Sequence, residues 1–205
     1  MEYNAVAPRD VLEKTVEALK GMNVEGIIVK GRAEALAKIK ELIPAGASVM
    51  NGASKTLEEI GFVGHLKSGD HDWHNLHEAI LGEKDPAEQA KLRHLALNSD
   101  FYIGSVHAIA QTGEMVIVSN TGSQLPHIVY TSPNLIFVIG ANKVMPTLEG
   151  ARKRVTEHVV PLEDVRLMGV YNAHTHLSKE LIFHWENPMM GRKVRVILVE
   201  EQLGF

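Results

Sequence analysis

The chain is 205 residues long, 45% hydrophobic and 22% charged, with a formal net charge of −4. That length can bury a full core as one domain over 1–205, while the mild acidity leaves no basic footprint for nucleic acid and no polybasic signal for a membrane surface. The absence of cysteine from these residues excludes disulfides, thiol catalysis and a thiolate-held iron–sulfur cluster here. With no apolar run long enough to span a bilayer and a polar start at 1–10 unlike a signal peptide, a cytoplasmic location is expected.

Taken in order, Pro8-Arg9-Asp10 followed by Val11, Leu12, Val16 and Leu19 at helical spacing predicts an amphipathic helix ending at Gly21. Gly26 to Val29 is a short apolar run suited to a buried parallel strand, and 32–43 reads as a helix ended by Pro44. Ala47 to Met50 supplies a second strand. Asn51-Gly52-Ala53-Ser54-Lys55-Thr56 then leads into a helix ending at Gly61. Strand, short loop and helix in alternation predict a three-layer αβα fold with a mainly parallel sheet, which gathers the strand C-termini on one edge. In the second of these loops, Gly52 frees the turn while Ser54, Lys55 and Thr56 offer hydroxyls, an ammonium and helix-start N–H groups. This pattern suits an anion, or serves only as a cap with a solvated lysine.

Between Phe62 and Asp85, His65, His71, His74 and His77 mingle with Asp70, Asp72 and Glu78. The cluster reads either as nitrogen and oxygen ligands for a metal or as the polar face of a helix. A helix over 86–97, with Leu92, Leu95 and Ala96 turned inward, delivers the chain into 98–123. There Phe101–Ile103 and Met115–Val118 are β-prone, separated by small residues including Gly104 and Gly113, so this stretch reads as a pocket wall or as tight strand connections. Pro126 to Tyr130 is a short helix or turn. Asn134 to Gly140 is the strongest buried strand, and Asn142 and Lys143 at its C-terminal end are placed to meet a phosphate or carboxylate, or to be solvated. A helix from Pro146 to about His158 and a last strand over 194–199 complete the pattern.

Ser99-Asp100, Gly104-Ser105-Val106, Ala108-Ile109-Ala110, Thr112-Gly113-Glu114, Thr121-Gly122, Val138-Ile139-Gly140-Ala141-Asn142-Lys143, Pro161-Leu162, Arg166-Leu167 and the run 194–205 follow one another in an order that resembles the LUD-domain family, the short lactate-utilization proteins. That resemblance covers nearly the whole chain. It implies a fold similar to the ribose-5-phosphate isomerase and CoA transferase-like group, whose members bind small anions at the strand C-termini. It also implies a protein of lactate or related organic-acid metabolism binding a phosphate- or carboxylate-bearing metabolite through Asn51, Gly52, Ser54, Lys55, Thr56, Gly104, Thr121, Gly122, Ser123, Gln124, Asn142 and Lys143. The alternative is a non-catalytic subunit or ligand sensor of an oxidoreductase complex, with partner subunits or a second copy of the chain.

Two departures from the family pattern matter. Where many short LUD proteins carry a cysteine-rich patch, this chain has 170–185 with His174, His176 and His184. No iron–sulfur cluster is expected, the cofactor is unassigned, and the three imidazoles are the residual metal candidates, since His174 and His176 would share a face of a strand. Gln111 stands where the family commonly has an acid before its turn. An amide does not titrate, so a general base would have to be His107 or Glu114.

Overall fold

The computed structural model describes residues 3–205, so of the polar start Met1 and Glu2 lie outside the described residues. Helix α1 (Arg9–Gly21) leads into strand β1 (Glu25–Val29), α2 (Arg32–Leu42), β2 (Ser48–Asn51), α3 (Lys55–Glu59) and α4 (Phe62–Ser68). A two-residue strand β3 (His74–Asn75), α5 (Leu76–Gly82) and α6 (Pro86–Leu95) follow. The chain then enters β4 (Phe101–Gly104), β5 (Ala108–Ala110), β6 (Met115–Ser119), β7 (Asn134–Gly140), β8 (Val144–Met145), α7 (Leu148–Arg154), α8 (Val160–Tyr171), β9 (Lys179–Phe183) and β10 (Lys193–Val199).

The central sheet has the order β1-β10-β7-β4-β2-β3, with all neighbours parallel. Its buried strands are apolar on both faces, as a covered parallel sheet requires. Along β7, Leu135, Phe137 and Ile139 pack with Leu12 and Leu19 of α1, while Ile136 and Val138 pack with Ala35 and Ile39 of α2 and Leu57 of α3. The period-two alternation of a strand therefore divides one sequence run between two cores. This is the three-layer αβα arrangement.

A second sheet, ordered β8-β5-β6-β9, mixes parallel and antiparallel pairs. Its inner residues Ile109, Met115, Ile117 and Phe183 join the α1 side of the main core, and its outer residues Ala108, Val116 and Val118 pack against Ala151 and Val155. Phe101–Ile103 and Met115–Val118, which in sequence read as a pocket wall or as tight strand connections, belong to different sheets, and Tyr102 of the first and Val118 of the second both line the cavity at the strand C-termini. Ala108–Ala110 was hidden as a strand because its small residues carry little β propensity.

Three further expectations are corrected. Leu95 is exposed rather than inward, because α6 contributes no buried residue and packs only at the periphery. The helix begun at Leu148 does not end near His158. It passes through a π-helical turn over Val155–Val159 and continues to Tyr171. Pro161 explains the widening: without an N–H, and with its ring against the preceding turn, it is accommodated by a locally expanded helix. Finally, 174–176 is loop rather than strand, so His174 and His176 do not share a strand face.

Candidate functional site

The C-terminal ends of β2, β4 and β7, adjacent in the parallel sheet, open into a cavity of about 470 Å³. The loop Gly52–Thr56 forms one side, and Gly104 to His107 forms the floor. Ser119, Asn120, Thr121, Ser123 and Gln124, leaving the end of β6, form the opposite side. The widened helix closes the cavity with Val159, Val160, Glu163, Arg166 and Leu167. Of the expected ligand contacts, Gly52, Ser54, Lys55, Thr56, Gly104, Thr121, Ser123, Gln124 and Lys143 line this one cavity.

Lys143 dominates its chemistry. The side chain is 5% exposed, and Nζ donates to Thr56 Oγ1 at 2.9 Å, Ser105 Oγ at 3.2 Å and the Val106 carbonyl at 3.2 Å. None of these partners is a carboxylate. Burial, with the Arg154 guanidinium adding repulsion and Glu59 opposing it, brings the ammonium down to about 7.

Arg154 is itself fully buried. Its Nε donates to the Tyr3 carbonyl at 3.0 Å and its Nη1 to the His107 carbonyl at 2.7 Å, while Nη2 has no partner among the described residues. Its spacing with Ala151 and Val155 on the inward face of the helix was the sequence signal for burial that the reading missed. Lys143 and Arg154 are thus two buried cations close enough to repel one another, with neutral oxygens as their hydrogen-bond partners.

His107 lines the cavity but is a poor base. Its Nδ1 accepts from the Val118 backbone N–H at 3.1 Å, which fixes the ring proton of the neutral form on Nε2. Burial, then Lys143 and Arg154, depress its pKa to about 3. The ring is therefore a neutral hydrogen-bond donor at physiological pH. Glu114 sits in the β5–β6 hairpin, bonded to Thr112, and does not line the cavity.

Other expected site residues have structural work. Asn51 donates to the Gly52 carbonyl at 3.2 Å, and Asn142 Oδ1 accepts from the Leu203 N–H at 3.0 Å; neither lines the cavity. Gly122 adopts φ +89°, a left-handed turn position where a Cβ would meet Lys179. Gly52 and Gly104 admit the Tyr102 ring: a Cβ on Gly52 would lie 3.0 Å from its hydroxyl, and one on Gly104 2.9 Å from its Cε1. Ser54 caps α3 through the Leu57 N–H at 3.3 Å. That helix is only five residues long, so fixed charge at the site comes chiefly from Lys143 rather than from a helix dipole.

Of the first histidine cluster, His65 and His71 pack with Trp73. His71 Nε2 donates to the Leu66 carbonyl at 3.1 Å while its Nδ1 accepts from the Trp73 N–H at 3.2 Å, and the ring stacks on Trp73. His174 bonds Asp164 at 3.0 Å, His176 lines the cavity rim, and His184 is exposed beyond β9. Among the described residues no three of His, Asp and Glu are grouped to hold a metal ion.

The family model of the LUD domain matches residues 12–180. The chain belongs to the LUD-domain family. A solved structure of a DUF162 family protein from Deinococcus radiodurans is similar in fold to this LUD domain, with a TM-score of 0.56 and 13% identity over 95% of this chain and 99% of that one. No curated protein matches the LUD-domain chain. Among its described residues no helix is long and apolar enough to cross a membrane.

Proposed function

We propose that this chain, a single LUD domain over 1–205, binds a small phosphate- or carboxylate-bearing metabolite of organic-acid metabolism in the cavity at the strand C-termini. One observation carries the reading: Lys143 is buried beside the cavity with three neutral oxygen partners. A buried ammonium held this way, with a second buried cation nearby, favours an anion arriving from the open side. Ser119, Thr121, Ser123 and Gln124 supply short polar groups on the facing wall, and Val106, Val118, Val159 and Leu167 supply apolar surface. This is the usual composition of a small-molecule site. Lys55 and Arg166 add positive charge at the rim, each paired with a nearby glutamate.

The test is a crystal structure obtained in phosphate. The reading expects phosphate oxygens bonded to Lys143 Nζ or to the hydroxyls of Ser105, Thr121 and Ser123. Phosphate found only on exposed surface lysines, with the cavity holding water, would reject it.

A second reading, a subunit of a larger oxidoreductase assembly, draws support from α8. Leu162, Val165, Met168 and Val170 leave large apolar side chains exposed along this helix, a pattern that suits a partner surface. A monomer that recovers no flavin- or iron–sulfur-containing partner on affinity purification would remove that reading.

A further inference from the structure

We infer that Lys143 forms a covalent imine with the carbonyl carbon of an anionic aldehyde or ketone bound in the cavity; this rests on the anion site proposed above and names the ligand class.

The inference starts from the hydrogen-bond partners of Nζ. A buried lysine serving as a fixed charge needs acceptors only. Here one partner, the Val106 carbonyl, is an obligate acceptor, whereas the hydroxyls of Thr56 and Ser105 can donate or accept. As ammonium, Nζ donates to all three. As neutral amine, it donates to the carbonyl and one hydroxyl, and its lone pair accepts from the other hydroxyl with no heavy atom moving. The pocket therefore satisfies both protonation states.

A second feature is electrostatic. Burial raises the energy of the charged form, and Arg154 adds to it, so an appreciable fraction of Lys143 is amine at neutral pH. The exposed lysines differ: Lys14 and Lys20 have side chains 72% and 77% exposed, open to water and each beside a carboxylate. A third feature is the neighbour. His107 lines the same cavity with Nδ1 already occupied by the Val118 N–H, so its Nε2–H offers a hydrogen bond to a carbonyl oxygen without itself becoming charged.

The chemistry balances within this set. The amine lone pair adds to the carbonyl carbon as the C=O π pair moves to oxygen, and one Nζ proton transfers to that oxygen to give a carbinolamine. The proton that the ammonium released to solvent on becoming the amine returns to the same oxygen from solvent at the open side of the cavity, the C–O bond breaks, and water leaves with formation of the iminium, so that ammonium and carbonyl together give iminium and water. The anionic end of the ligand stays in the polar half of the cavity, near Thr121 and Ser123.

Pyridoxal 5′-phosphate, an aldehyde carrying a phosphate, is the probe. The protein is treated with it at pH 7 and then with borohydride, whose hydride reduces the C=N bond to a stable secondary amine, and the labelled peptides are mapped. Lys143 should be labelled about tenfold or more faster than the exposed lysines, because each unit of lowered pKa is tenfold in amine fraction. Excess inorganic phosphate should protect it. Lys143→Arg, which has no primary amine to condense with the aldehyde, should lose the label at that position. If phosphate stabilises the parent protein but the label falls only on lysines such as Lys14, Lys20 and Lys55, the imine is refuted and the anion site stands. If Lys143 is unlabelled and phosphate neither protects nor stabilises, both fall. Should Lys143→Arg not fold, the map of the parent protein with and without phosphate decides alone.

Discussion

The Nζ of Lys143 lies 2.9 Å from Oγ1 of Thr56, two buried groups 87 positions apart in the chain. The contact ties the end of β7 to the first turn of α3, so the residue that carries the site's charge also joins two of the loops that form it. Replacing Lys143 by Met, close in length and without charge, should weaken binding of a phosphate- or carboxylate-bearing ligand by about 1.5–3 kcal/mol, the scale of a lost charged hydrogen bond. Glu114→Gln, in the hairpin away from the cavity, should leave that affinity unchanged. Titration calorimetry of both variants beside the parent makes the comparison, and a larger loss in Glu114→Gln would place the site elsewhere.

Affinity should also depend on pH. The anion prefers the ammonium form of Lys143, whose pKa in the empty site is brought to about 7, so binding should weaken as pH rises above that value and level off below it. An affinity constant between pH 6 and 9, for a ligand whose own charge is fixed over that range, would contradict this.

Stability has its own acid limb. His107 is held near 3 and His127 near 4, both below the ordinary histidine value of about 6.5. Each takes up a proton more readily in the unfolded chain, so stability should fall as pH drops from about 6.5 toward 3. Lys143 works in a higher window: its folded pKa of about 7 lies below its unfolded value, so its contribution to stability rises with pH above 7. His107→Gln, whose amide oxygen can still accept the Val118 N–H, should flatten the acid limb in urea melts. An unchanged slope would show that His107 is not the titrating group.

How much of this was legible beforehand depends on the kind of signal. Continuous apolar runs such as Asn134–Gly140, with flanking glycines and prolines, announced the parallel sheet because burial on both faces leaves an unbroken hydrophobic pattern. Lys143 and Thr56 could be placed at one sheet edge because parallel topology decides which strand ends meet. The second sheet was not legible, since Ala108–Ala110 is too short and small to declare itself and β8 and β9 pair over long separations. In sequence Gly52 reads as freeing a turn and Gly104 as a small residue of a pocket wall or strand connection, yet their missing Cβ atoms accommodate Tyr102. No local pattern reveals which neighbour a glycine makes room for.

That packing relationship is itself testable. Gly52→Ala sets a methyl 3.0 Å from the Tyr102 hydroxyl and should destabilise the fold by about 1–3 kcal/mol, the usual cost of overpacking. Tyr102→Phe removes the hydroxyl, so the double variant should recover part of the loss. Strict additivity of the two single changes in chemical denaturation would count against a direct contact.

Arg154→Met offers a view of the site's electrostatics. It leaves the carbonyls of Tyr3 and His107 without their guanidinium partner and should destabilise by about 1–3 kcal/mol for each acceptor left unpaired. It also removes a positive charge that depresses both Lys143 and His107, so both groups should titrate at higher pH in the variant, as followed by side-chain NMR. Titration at lower pH would reverse the assigned sign of the interaction.

The most direct measurement is a thermal-shift screen of small metabolites run in parallel on the parent protein and Lys143→Met, since a ligand that binds only the folded state raises the melting temperature by mass action. The account expects the stabilising compounds to carry a phosphate or carboxylate, and their effect to be lost in the variant. Stabilisation by neutral compounds alone, or by anions equally in both proteins, would contradict it.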